Sequence, residues 1–170
     1  MWLWNIFLSK IVTKIVSWNV NSVRVRLPHL EKLMTSLGPD IIMLQETKST
    51  DKDFPFNDIK LHGYDVITVG QKSYNGVAII SKVPVKLKNE SLPGNANDPQ
   101  ARFIEVTVEG DDPFDIASIY LPNGNPIDTE KCDYKLDWMN KLLSYIKSKA
   151  EWKHGSLMIS YSLSKKETIY

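Results

Sequence analysis

The apolar residues of this chain fall into short runs bounded by turn residues, and these runs alternate with stretches of helical spacing. The clearest run is Ile41–Leu44, four apolar residues behind the turn pair Pro39-Asp40. Such a run reads as a buried strand. It ends in the polar pair Gln45-Glu46. Ile11 to Val16 read as an earlier β-branched strand, interrupted by Thr13 and Lys14, with the polar residues Asn19, Asn21 and Arg24 beyond it. Between the two, Leu27, Leu30, Leu33, Met34 and Leu37 recur at helical spacing. Pro28 suits a first turn and Gly38 a stop. His29 falls on the solvated face of that helix. Strand, helix, strand is a βαβ-like unit, which would bring Asn19 and Glu46 to one sheet edge.

The pattern then turns to short strands. Ser49 to Gly63 is polar and contains Pro55, so it reads as a loop with one short helix. Tyr64–Val69 and Gly76–Ile80 read as strands around the turn Gly70–Ser73, and Val85–Leu87 as a short extended piece after Pro84. Leu92 to Gln100 carries two Pro, one Gly and several Asn or Asp, which makes a surface loop. Arg102–Glu109 is the best period-2 strand: Phe103, Glu105 and Thr107 alternate with Ile104, Val106 and Val108. Gly110–Pro113 connects it to a returning strand, Phe114–Tyr120. After a polar loop from Leu121 to Thr129, residues 131–152 read as a long helix. Its apolar stripe is Leu136, Met139, Leu142, Leu143 and Ile146, with Trp138 and Tyr145 adjoining. Asp128 or Thr129 suits its N-cap. His154 lies past its end, and Leu157–Ile159 begins one more strand.

Composition adds bounds. The 170 residues are 42% hydrophobic and 24% charged, an ordinary globular balance with enough apolar material for one domain. A net charge of +1 gives no bulk support to nucleic-acid binding, though it leaves room for a local basic groove. The single cysteine, Cys132, excludes an intrachain disulfide and suits a reducing, cytoplasmic compartment. Residues 1–13 form an aromatic, apolar leader. It is too short to span a membrane and lacks the basic start and small-residue cleavage site of a secretory signal.

A carboxylate at a strand end in an α/β protein stands where ligands commonly bind. Beside an amide oxygen it suits a hard cation such as magnesium, which takes one or two protein oxygens and fills its shell with water and phosphate. On spacing alone Glu46 could equally be a solvated strand-end charge, and Asn19 a turn amide.

Four motifs occur in order: Ser17-Trp18-Asn19-Val20-Asn21-Ser22-Val23-Arg24; Pro39 to Lys48, which reads Pro-Asp-Ile-Ile-Met-Leu-Gln-Glu-Thr-Lys; Asn75-Gly76-Val77-Ala78-Ile79; and Tyr120-Leu121-Pro122-Asn123-Gly124. Together they resemble exodeoxyribonuclease III and its abasic-site endonuclease relatives, of the endonuclease/exonuclease/phosphatase fold. The resemblance covers residues 14–159. It implies magnesium (manganese as a substitute) held at Glu46 with Asn19 beside it, and Tyr120 near the scissile phosphate. It also implies duplex DNA contacts at Arg24, Lys48, Tyr74, Asn75, Arg102 and Asn123, with an abasic site or 3′ end as target. It implies no membrane and no obligate protein partner.

The family follows the long helix and next strand with Gly-Asp-x-Asn, whose Asp activates the attacking water, and later carries Ser-Asp-His. Here Ser160-Tyr161-Ser162-Leu163-Ser164-Lys165-Lys166 stands in the first place and the second is absent. Residues 160–170 read as a divergent tail, the mark of a truncation or frameshift. A non-catalytic fragment and a phosphodiesterase or phosphatase acting on a non-DNA substrate are the competing readings. The expected fold is α/β, the first half of a four-layer α-β-β-α sandwich: a mixed, largely antiparallel sheet with flanking helices. Because strand 102–109 is apolar on both faces and the long helix covers one, the other face is expected to lack its cover.

Overall fold

The computed structural model describes residues 13–150 and 157–163. The leader as far as Val12, Trp152, His154 and the last residues of the tail lie outside the described residues. Eight strands and three helices are present among those described. They are β1 (Ile15–Asn19), α1 (Val23–Ser36), β2 (Ile41–Gln45), α2 (Phe56–Lys60), β3 (Asp65–Val69), β4 (Val77–Ser81), β5 (Val85–Asn89), β6 (Phe103–Val108), β7 (Phe114–Leu121), α3 (Glu130–Ala150) and β8 (Leu157–Leu163). A single 3-10 turn at Asp51–Asp53 precedes α2. The strands form two four-stranded sheets, ordered β1-β2-β4-β3 and β5-β6-β7-β8. Each sheet has one parallel pair, β1 with β2 and β7 with β8, and two antiparallel pairs. The α/β class, with mixed sheets and flanking helices, is therefore as the sequence indicates.

Alternation along β2 and β4 sends their side chains to opposite sides. Ile42, Leu44, Ala78 and Ile80 pack beneath α1 on Val23, Leu30 and Met34. Ile41, Met43, Val77 and Ile79 face the second sheet and meet Ile104, Val106, Val108, Ile116 and Tyr120. On the outer side of the second sheet, Phe103, Ala117, Ile119 and Leu121 pack with Trp138 of α3. Burying each such side chain contributes roughly 1.5–3 kcal/mol. All four layers thus come from this chain, helix, sheet, sheet, helix. The expectation that one face of strand 102–109 lacks cover is overturned: Ile104, Val106 and Val108 are buried by the first sheet, and Phe103 by α3.

Three local expectations change. β1 begins at Ile15 and runs through Asn19, because its ladder pairs Ile15 to Asn19 with Ile41 to Gln45. α1 starts at Val23, so Pro28 stands inside the helix and not in its first turn. The early start follows from tertiary bonds: the Ser22 and Val23 N–H groups donate to the Glu46 and Thr47 carbonyls at 2.8 and 3.0 Å. The helix stops as expected at Gly38, whose φ of +55° suits glycine.

The buried face of α3 is also different. Leu136, Met139 and Leu143 are 55%, 42% and 50% exposed, whereas Trp138 is 1% exposed and Tyr134, Leu142 and Tyr145 pack with it. The large aromatic rings and Leu142 face the sheet, and Leu136, Met139 and Leu143 face outward. The Thr129 hydroxyl donates to the Pro126 carbonyl, while its own carbonyl accepts from Cys132 and Asp133. β8 continues through Leu163, so residues 160–163 extend the strand rather than leaving the sheet.

Candidate active site at the polar end of the sheets

β1 and β2 run parallel, so both release the chain at the same end of the first sheet. The β3–β4 connection, the start of β6 and the end of β7 reach that end too, through backbone hydrogen bonds. Thr47 N–H donates to the Gly76 carbonyl (3.1 Å) and Lys48 N–H to that of Asn75 (2.9 Å). Gly76 N–H in turn donates to the Ala101 carbonyl (2.9 Å), and Tyr120 N–H to that of Arg102 (2.9 Å). This relay joins the loops carrying Glu46, Lys48, Asn75, Arg102 and Tyr120. Gly76 is required here: its φ is +87°, and a Cβ would stand 2.1 Å from Thr47 Oγ1.

Glu46 follows β2 with a φ of +54°, which turns the chain out of the strand. Its side chain is 14% exposed. Asn19 Nδ2 donates to Glu46 Oε1 at 2.8 Å, and Lys48 Nζ stands 3.3 Å from Oε2. Asn19 Oδ1 accepts from the Asn21 N–H at 3.1 Å, and Lys48 Nζ donates to Asn21 Oδ1. Asn19 therefore meets the carboxylate through its nitrogen and orients it. A single half-buried carboxylate with a flanking amide fits the protein's share of a magnesium shell that water and phosphate complete. Among the described residues no three His, Cys, Asp or Glu side chains cluster where they could hold an ion.

Tyr120 is buried at the end of β7. Arg102 lies with its guanidinium carbon 4.8 Å from the centre of the Tyr120 ring and 6.0 Å from that of Tyr134. Arg102 Nη1 donates to the Tyr120 carbonyl (3.1 Å) and Nε to Gln100 Oε1 (2.8 Å). The Tyr134 hydroxyl donates to Asp98 Oδ2 at 2.8 Å. Burial and that carboxylate raise the Tyr134 phenol well above the usual tyrosine range. Arg102, read from sequence as a DNA contact, is thus largely committed inside the fold.

Asn75, nearly buried, donates through Nδ2 to Gln71 Oε1 at 2.8 Å. Tyr74 beside it is exposed, as is Arg24 in the first turn of α1. Asn123 is exposed and accepts the Asn125 N–H at 3.2 Å, a local turn bond. The structure brings Asn19, Glu46 and Lys48 into direct contact, and Arg102 with Tyr120. Sequence reasoning missed Asn21 as a link between Lys48 and Asn19, and Tyr134 and Asp98 as supports of Arg102. The Asn21 link was visible as a polar residue two beyond Asn19. Tyr134 lies 36 residues from Asp98 and no local spacing announces it.

Two sheets packed face to face between helices, with a carboxylate, amides and cations gathered at one sheet end, define an α-β-β-α sandwich with a polar strand-end site. The profile of the Endonuclease/Exonuclease/phosphatase family matches residues 16–151, and the chain belongs to that family. It is 34% identical over 114 residues to exodeoxyribonuclease III of Haemophilus influenzae, covering 65% of this chain and 42% of that one. It is 33% identical over 135 residues to an exodeoxyribonuclease of Bacillus subtilis, covering 78% and 52%. Among solved structures, a 3′ phosphatase from Neisseria bound to a product DNA hairpin matches with a TM-score of 0.79 and 36% identity, over 88% of this chain and 57% of that one. An AP endonuclease from Archaeoglobus fulgidus matches with a TM-score of 0.70 and 34% identity, over 84% and 54%. The chain spans about half the length of the curated relatives it matches. No helix among the described residues is long and apolar enough to cross a membrane.

Proposed function

We propose that this chain is the N-terminal portion of a DNA repair nuclease of the exodeoxyribonuclease III and AP endonuclease type, acting on duplex DNA at an abasic site or 3′ end. The observation that carries this reading is the Asn19–Glu46–Lys48 group at the shared end of β1 and β2, in a chain belonging to this family. Glu46 would hold magnesium, or manganese in its place, and Asn19 would orient the carboxylate. A bound divalent ion supplies charge neutralisation at a phosphoryl oxygen. Tyr120, fixed by Arg102, would stand at the phosphate. Arg24 and Lys48 would neutralise backbone phosphates. Exposed Tyr74 would press on a groove, with Asn75 and Asn123 as polar contacts. A single cysteine and the family's chemistry suit a cytoplasmic setting.

The residues that would activate water are the weak point of this machinery. The strand after α3 runs through Ser160–Leu163 where the family carries Gly-Asp-x-Asn. Loss of a general base typically costs about 10²–10⁴-fold in rate. The 170-residue chain is accordingly expected to bind metal weakly and to leave abasic DNA uncut by itself. An incision assay on an abasic duplex with magnesium tests this. No product from the chain alone is expected, and incision after addition of a polypeptide supplying the Gly-Asp-x-Asn and Ser-Asp-His motifs supports the reading. Robust incision by the chain alone, abolished by Glu46→Ala, would show that another residue serves as base.

A further inference from the structure

Directly beneath Glu46 the layer between the sheets changes character. Ile41 and Met43 of β2 and Ile116 and Tyr120 of β7 face this layer. The period of two places Gln45 and Ser118 on the same inward faces. Both are fully buried. Gln45 Nε2 donates across the sheets to Ser118 Oγ at 3.0 Å, and within its own sheet to Ser17 Oγ at 3.1 Å. Ser118 Oγ returns a bond to the Leu44 carbonyl at 3.2 Å. The two strands are therefore tied in both directions at one level. Gln45 immediately precedes Glu46, and Ser118 is two residues before Tyr120.

Apolar contact between sheets is non-directional and tolerates small sliding. Hydrogen bonds weaken steeply off their geometry, and a buried amide or hydroxyl without a partner is costly. The polar pair thus selects one placement of β2 against β7. We propose that Gln45 and Ser118 form a cross-sheet clasp, positioning residues that fix where Glu46 stands relative to Tyr120. The functional meaning of this clasp rests on the reading of Glu46 and Tyr120 given above, but its geometry does not.

Side-chain NMR of the full chain tests it. The probe is the Asn19 side-chain amide, which donates to Glu46. Ser118→Ala and Gln45→Met break the clasp, and Ser118→Thr keeps its hydroxyl. Ile80→Val and Leu30→Ala, on the α1 side of the first sheet, bracket the loss of melting temperature without touching the clasp. Ser118→Ala and Gln45→Met are expected to move the Asn19 amide signal toward the free-amide position, while both controls and Ser118→Thr leave it in place. An Asn19 signal that moves no further in Ser118→Ala than in Leu30→Ala overturns the proposal. A manganese titration by line broadening forms the second arm, with at least a fivefold rise in the half-broadening concentration expected for the clasp variants. If Glu46→Gln leaves the titration of the unaltered chain unchanged, the cation reading of Glu46 fails, while the Asn19 signal still decides the clasp.

Discussion

Glu105 provides the sharpest test of how α3 is held. It sits in β6 with no exposed surface, facing the helix. Its carboxylate accepts from Asn89 Nδ2 and the Tyr145 hydroxyl, both at 2.5 Å, and from Lys149 Nζ at 3.0 Å. Lys149 also reaches Asp115 Oδ2 at 2.8 Å, and Asp115 is held by Lys88 and Thr107 as well. Burial works against the Lys149 ammonium, yet its hydrogen bonds to Asp115 and Glu105 overcome it and hold the group well above the usual lysine range. Lys149→Met keeps most of the stem and removes the charge. Glu105 would then be a buried carboxylate with two neutral donors, and breaking a buried pair from one side costs about 3–5 kcal/mol. For a chain of this size that corresponds to a melting shift of roughly 6–20 °C. Glu105→Gln with Lys149→Met removes both charges and retains an acceptor for Tyr145, so the double variant should lose no more than about 2 kcal/mol. Urea unfolding of the chain, the two single variants and the double variant completes the cycle. If Lys149→Met costs under about 1 kcal/mol, or the two losses simply add, the pair does not couple α3 to the sheet and the helix is held by its packing through Trp138, Leu142, Tyr134 and Tyr145.

Four further outcomes follow from the geometry. Burial opposes the charged form of Asp115, but its hydrogen bonds to Lys149, Lys88 and Thr107 outweigh this and bring its pKa from 3.8 to about 2. The unfolded chain binds the proton more readily, so about 2 kcal/mol of stability is fully present above pH 4–5 and disappears as pH falls toward 2, a slope that Asp115→Asn should remove in acid unfolding. Burial, then the bond to Glu105, raises the Tyr145 phenol from 10.0 to about 12, so stability is full below pH 10 and falls as pH rises from 10 to 12; Tyr145→Phe should flatten that limb. Gly76→Ala should destabilise by about 1–3 kcal/mol from its φ alone, and more from the clash with Thr47 Oγ1, so adding Thr47→Ala should recover only the second part in thermal unfolding. On DNA binding, Arg24→Ala or Lys48→Ala should each lower the salt slope by about 1, whereas Arg102→Ala should leave the slope unchanged and lower stability by about 1–2 kcal/mol, which fluorescence anisotropy across a salt series and thermal melts would separate.

The central strands were legible because β2 and β4 are buried on both faces, and that demand writes a continuous apolar run into the sequence. The face of α3 was not. Leu136, Met139 and Leu143 form one stripe at helical spacing, and Tyr134, Trp138, Leu142 and Tyr145 form another. Periodicity has no means of ranking the two. The aromatic stripe that faces the sheet continues into Lys149, which is 44 residues from the carboxylate it serves. The cover of strand 102–109 was misjudged on similar grounds: alternation shows that two faces need partners, and says nothing of whether the partner is another sheet of the same chain. In the candidate site, strand ends located Asn19 and Glu46 because exit from a sheet is a local event. The relays through Asn75, Arg102 and Tyr134 were hidden because they depend on loop-to-loop bonds across the sandwich.

Positive-φ backbone is concentrated at the candidate site. Seven non-glycine residues among those described have positive φ, and five of them, Asn21, Ser22, Glu46, Lys48 and Asn75, surround the Asn19–Glu46 contact. Asparagine tolerates this conformation at little cost; serine, glutamate and lysine do not, and each such residue costs of order 1–3 kcal/mol. Those turns persist because ladder-like bonds on either side leave no alternative: Ser22 and Val23 to the carbonyls of Glu46 and Thr47, Thr47 and Lys48 to those of Gly76 and Asn75. The consequence is a carboxylate turned out of its strand and held by neighbours that cannot relax independently. A solvated strand-end glutamate would need none of this, since extended backbone would serve it equally well. The concentration of positive-φ backbone at Glu46 and Lys48, together with their charge, distinguishes this sheet end from an ordinary polar edge.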